Sequence, residues 1–66
     1  MDNWVTVYST NQMYKAELIK QILSDQTITA FILNKQDSTY LFGSIEICVQ
    51  PGDVIRAKHI LKNINL

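Results

Sequence analysis

The chain has 66 residues, six basic and six acidic side chains, no net charge and a single cysteine. That length allows one domain, spanning residues 1–66. The balanced charge offers nucleic acid or an anionic membrane no basic footprint, and one cysteine excludes an internal disulfide. A domain of this size buries only about 60% of its unfolded surface. With no disulfide and no Cys/His cluster spaced for zinc, it is expected to gain stability from self-association. No apolar run approaches the ~20 residues that span a bilayer. The opening Met1-Asp2-Asn3-Trp4 lacks the basic and apolar regions of a secretion signal. The expectation is a cytoplasmic protein, consistent with a free thiol.

The first element is WVTVYS, residues 4–9, whose β-branched and aromatic side chains predict a strand. Strict alternation directs Val5 and Val7 to one face and Trp4, Thr6 and Tyr8 to the other. Ser9, Thr10 and Asn11 then supply the oxygens that open helices. Over residues 11–25, Met13, Ala16, Ile19, Ile22 and Leu23 recur at helical steps on one face. The run ITAFIL, residues 28–33, predicts a short strand buried on both faces. In it, Ile28, Ala30 and Ile32 are assigned to the helices and Phe31 and Leu33 to the other side. Residues 34–43 connect to SIEICVQ, residues 44–50, where Ile45, Ile47 and Val49 alternate with Ser44, Glu46, Cys48 and Gln50. Pro51-Gly52-Asp53 breaks this strand and opens a second helix. Its apolar stripe is Val54, Ala57, Ile60, Leu61 and Ile64.

The order β-α-β-β-α predicts an α+β, ferredoxin-like fold. A right-handed crossover makes the first two strands parallel, and the third lies antiparallel between them. Both helices then cover one face of a three-stranded sheet. Asn65-Leu66 is too short for the usual final strand, which leaves the first strand as an open edge.

The opposite face is expected to carry Trp4, Tyr8, Phe31 and Leu33, with Tyr40 and Phe42 of the connection as further candidates. Each buried Phe or Leu contributes about 1.5–3 kcal/mol. Four or five left in water forgo on the order of 6–15 kcal/mol, comparable to the stability of a whole domain. A second copy is the expected cover, as a homo-oligomer and in the simplest case a dimer. Another protein partner, or the connection folding back over its own sheet, would cover the same face.

The reactive residues carry less. Cys48 reads as a small apolar filler on the third strand. His59 reads as a solvated residue near the C-terminal end of the second helix. The two fall on opposite sides of the sheet, which argues against a Cys/His pair. Ser38 and Thr39 lack a nucleophile-elbow context, and Gly43 and Gly52 form no phosphate-cradling loop. Trp4 and Tyr8 resemble the stacking aromatics of RNA-binding sheets, but no basic cluster accompanies them. No enzyme activity, cofactor, metal, nucleic acid or membrane is expected. Asn34, Lys35, Asp37 and Ser38 could bind a nucleotide or small anion, although such residues commonly satisfy turn backbone groups.

Taken together, VTVYST, AELIKQIL, TAFILNK, the connection ending in FG, IEICV and PGDVIRAKHIL carry a resemblance over residues 5–61. The chain resembles the small bacterial domains described as putative prokaryotic signal-transducing proteins. That resemblance implies a fold similar to the nitrogen-regulatory PII (GlnB-like) proteins. In those proteins the connection between the second and third strands contacts partner proteins, and nucleotide binds between subunits at the loop bases. The connection here is shorter and has no glycine-rich or basic phosphate motif. The implied function is a non-enzymatic, self-associating interaction domain of a regulatory kind. The partner contacts would be Tyr40, Leu41, Phe42, Trp4 and Tyr8. A ligand sensor built on Asn34, Lys35, Asp37 and Ser38 is the alternative.

Overall fold

The computed structural model describes residues 3–36 and 44–64. Three strands, β1 (Val5–Thr10), β2 (Ala30–Asn34) and β3 (Ile45–Val49), alternate with two helices, α1 (Met13–Asp25) and α2 (Val54–Lys62). A single turn of tighter helix, Pro51–Asp53, leads into α2. The sheet order is β1-β3-β2, with β3 antiparallel to both neighbours. This is the ferredoxin-like arrangement expected from the sequence, with β3 inserted between the two parallel strands.

One core lies between the sheet and both helices. Ala16, Ile19 and Leu23 of α1 and Ala57 of α2 are fully buried against Ile45, Ile47 and Val49 of β3. The helical period and the strand alternation thus converge on one layer, while among the described residues no helix lies on the far side of the sheet. The molecule measures only 15 Å along its shortest axis, as two layers require.

The C-terminus of α1 is fixed without glycine. The Ile28 N–H donates to the Leu23 carbonyl at 2.9 Å and the Thr27 N–H to the Ser24 carbonyl at 3.0 Å. This is a Schellman closure, and Ile28 and Leu23 supply its hydrophobic contact, both being buried. The closure forces Thr27 to φ 63°, a left-handed conformation that β-branched residues resist. Ile28 is therefore a buried closure residue, and the strand expected from residue 28 begins at Ala30. At the other end of α1, the Thr10 hydroxyl accepts the Gln12 N–H at 3.1 Å, so the expected hydroxyl turns the chain one step before the helix.

In β1 the structure departs from strict alternation. Val5, Thr6, Tyr8, Ser9 and Thr10 face Val49, Cys48, Ile47, Glu46 and Ile45, which leaves Val7 as an extra residue. This β-bulge shifts the parity of everything after it. Tyr8 was expected beside Trp4 on the open face. It instead lies opposite Ile47 and packs, with Val7, against the core. Val5, Trp4 and Thr6 precede the bulge and keep their expected faces.

Candidate functional site

The side of the sheet away from the helices is arranged by two cross-strand rows. Thr6, Cys48 and Phe31 form one, and Ser9, Glu46 and Leu33 form the next. Paired residues share a face, so β2 presents Phe31 and Leu33 outward and Ala30 and Ile32 inward, as its sequence predicted. Trp4, just before β1, meets Phe31 across the central strand, with ring centroids 5.7 Å apart and planes inclined by 34°. Such a tilted pair contributes about 0.5–1.5 kcal/mol beyond area burial. Phe31 and Leu33 each remain 37% exposed.

A polar strip adjoins this apolar cluster. The Thr6 hydroxyl donates to Glu46 Oε1 at 2.9 Å, and Lys35 Nζ lies 3.4 Å from Glu46 Oε2. Cys48 Sγ is 3.5 Å from Thr6 Oγ1. The single Thr6 proton is directed to the carboxylate, so the thiol supplies the proton of the second contact. Cys48 is thus a buried, free thiol on the middle strand. His59 sits exposed on α2, across the sheet from it. That separation agrees with the sequence reading of the two residues.

The start of the connection is engaged locally. Asn34 Oδ1 accepts the Gln36 N–H at 2.9 Å, closing a side-chain turn. The Gln36 amide reaches back to donate to the Asn11 carbonyl at 3.0 Å. Of the residues expected to bind a ligand, Asn34 and Lys35 thus hold a turn and an ion pair, while Asp37 and Ser38 lie outside the described residues. Tyr40, Leu41 and Phe42 also lie outside them. Of the expected partner contacts, only Trp4 and Tyr8 are described. Trp4 is on the open face and Tyr8 is not.

Sequence reasoning missed the Thr6–Glu46–Lys35 network. Alternation assigns Thr6 and Glu46 to the same face, but only the β1/β3 register brings them within bonding distance. It also missed Arg56, whose guanidinium reaches from α2 to the end of α1. One nitrogen donates to the Gln26 carbonyl and, at 3.1 Å, to Thr27 Oγ1. The other lies 3.8 Å from Asp53. A cation thereby meets the negative end of α1 and pins the strained Thr27.

Among the described residues no group of His, Cys, Asp and Glu side chains could hold a metal ion. No helix among them is long and apolar enough to cross a membrane. Neither curated proteins nor solved structures gave a match to this chain. A two-layer α+β fold with one open sheet face sits with a family match covering residues 4–65: the chain belongs to the family described as putative prokaryotic signal transducing protein.

Proposed function

We propose that this chain is a non-enzymatic, regulatory protein-interaction domain of the cytoplasm that self-associates through its open sheet face or edge. The observation that carries the reading is the apolar cluster of Trp4, Phe31 and Leu33 on the side of the sheet without helices. The family's description as signal transducing fits a surface that meets another protein. Tyr14, Leu18 and Ile55 on the helices are more exposed, but Trp4, Phe31 and Leu33 are the partly exposed apolar side chains that adjoin one another on one face of the sheet. A GlnB-like kinship fits the same reading, with Tyr40, Leu41 and Phe42 of the connection as further contacts.

The magnitudes set the strength of the association. Phe31 and Leu33 already bury most of their surface, so covering the remainder contributes about 0.5–1 kcal/mol each. Two copies together gain a few kcal/mol from these residues, against an association cost of at least ~4 kcal/mol. These side chains alone do not offset that cost, so further contacts must supply the balance, and the association is expected to be weak.

Sedimentation equilibrium of the wild type and Leu33→Lys tests the reading. The wild type should show a concentration-dependent dimer, and the variant should remain folded with at least roughly tenfold weaker association. A wild type that sediments as a monomer throughout, or a variant that associates equally well, contradicts it. The ligand-sensor alternative has a separate readout, a thermal shift with nucleotides or small anions that is lost in Lys35→Ala. The engagement of Asn34 by Gln36 and of Lys35 by Glu46 favours the interaction reading.

A further inference from the structure

Among the described residues the sheet has two unpaired edges, and they differ. On the β3 side of β2, the Lys35 N–H donates to the Ser44 carbonyl at 2.9 Å. Lys35 and Ser44 continue the β2/β3 register, so this is a hydrogen-bonded pair of the antiparallel ladder. Alternate pairs share that character, so Leu33 and Phe31 also turn their backbone groups toward β3. Ala30, Ile32 and Asn34 therefore turn theirs outward. Among the described residues no backbone hydrogen bond satisfies those outward groups. The result is a regular comb of donors and acceptors at every second residue.

The edge of β1 is not a regular comb. Its pairs with β3 at Val5, Tyr8 and Thr10 leave Thr6 and Ser9 facing outward, and the Val7 bulge spaces them three residues apart. A regular partner strand cannot match that spacing. Bulges, prolines and inward-pointing charges are the usual devices that keep sheet edges from pairing. β1 carries one of them. β2 reads AFILN and carries none.

We propose that a second copy of this chain pairs antiparallel with the outer edge of β2, about a two-fold axis passing through Ile32. This inference rests on the self-association proposed above and assigns its seam. An antiparallel pair related by a two-fold axis is self-complementary, so one strand serves as both halves. Register follows from the comb. Ile32 meets the partner's Ile32, Ala30 meets the partner's Asn34, and Asn34 meets the partner's Ala30. Each of these pairs exchanges two backbone hydrogen bonds. A shift of one residue would oppose outward groups to inward ones, and a shift of two would leave an end of the comb unpaired.

Side chains agree with this register. On the open face, Phe31 comes opposite the partner's Leu33, an aromatic–aliphatic pair made twice, and both residues are the exposed apolar ones of β2. No charge lies within Ala30–Asn34. Lys35, the first charge beyond the strand, comes opposite the partner's Thr29, so like charges do not face each other across the seam. The two sheets join into a continuous sheet of six strands with all four helices on one side. Its open faces merge into one apolar floor twice as broad, bounded by the polar strips of Glu46 and Lys35.

Amide hydrogen exchange by NMR on the full chain, at concentrations above and below the association midpoint, tests the seam. Association should protect the Ala30, Ile32 and Asn34 amides, and a mixed sample of labelled and unlabelled chains should show an intermolecular contact between Phe31 and Leu33 α-protons. Ala30→Pro removes an outward N–H without removing a bond to β3, and proline is tolerated on edge strands with its nitrogen outward. It should weaken dimerisation about tenfold or more, while the exchange measurement on the wild type stands independently of how well the variant folds. Association that leaves the three amides exchanging freely overturns the seam and leaves self-association intact. A chain that stays monomeric under all conditions overturns both.

Discussion

On the helix side of β3, Ile45, Ile47 and Val49 are fully buried beneath Ala16, Ile19, Leu23 and Ala57. On the other side of the same sheet, Trp4 meets Phe31, and Phe31 and Leu33 each keep 37% of their surface exposed. The difference lies in the helices, which cover one side only. The helix-covered face specifies the fold, and its side chains have no freedom to take a second role. The open face is only partly buried, so the remaining apolar surface of Phe31 and Leu33 is available for a partner. Substitutions on the two sides should therefore separate stability from association.

The largest contrast is expected from Ile47→Ala. Removing a fully buried side chain from the central strand should cost about 2–5 kcal/mol. In a domain of 66 residues that is a large share of the total. Urea denaturation should show most of the folded state lost. A loss below about 1 kcal/mol would mean that the two faces are not as different as their burial implies.

A finer contrast compares two aromatic residues. Tyr8→Ser should lower the stability by about 1–3 kcal/mol, because Tyr8 packs with the core, while the association constant of the remaining folded protein is unchanged. Phe31→Ser should lower the stability by about 1.5–3 kcal/mol, from its partly buried ring and the Trp4 contact, and in addition should clearly weaken the dimer. Thermal denaturation and sedimentation on the same two samples read both quantities. If Tyr8→Ser dissociates the dimer and Phe31→Ser only destabilises, the faces have been exchanged.

That comparison also shows what the sequence makes legible. In IEICV the alternation is clean, and Ile45, Ile47 and Val49 lie in the core as the pattern demands. The parity of Phe31 and Leu33 and the buried stripe of α1 were readable for the same reason, since period and burial agree. β1 was not readable past Thr6. VTVYST has no glycine or other mark of a bulge, and the extra residue is set by pairing with β3, a strand some forty positions away. Thr27 is similar. Its left-handed backbone is imposed by the closure of α1, where sequence rules look for glycine. Within the candidate surface, the outward place of Trp4 was legible and that of Tyr8 was not. The ties of Lys35 to Glu46 and of Arg56 to Gln26 and Thr27 depend on tertiary register, which composition and period do not encode.

Smaller effects probe the junction between the helices. Arg56→Ala should cost about 1 kcal/mol by freeing the end of α1, with no change in association, because Arg56 is on the helix side. Thr27→Gly relieves a left-handed β-branched residue and should raise the stability by about 0.5 kcal/mol after the lost Arg56 contact and the added chain entropy are counted. Thr27→Val keeps the strain and loses the hydroxyl, so it should destabilise. Chemical denaturation of the three variants orders them, and a destabilised glycine variant would show that the hydroxyl outweighs the strain.

The protein has one tryptophan, and it lies on the open face beside Phe31. Its emission and its quenching by acrylamide therefore report directly on whether that face is covered. On dilution through the association range, loss of the partner's Leu33 from beside Phe31 should shift Trp4 to longer wavelength and make it more quenchable, while the far-ultraviolet circular dichroism stays constant. Emission and quenching that are independent of concentration, in a sample that sedimentation shows to be associating, would place the contact elsewhere and contradict the assignment of the uncovered sheet face as the interaction surface.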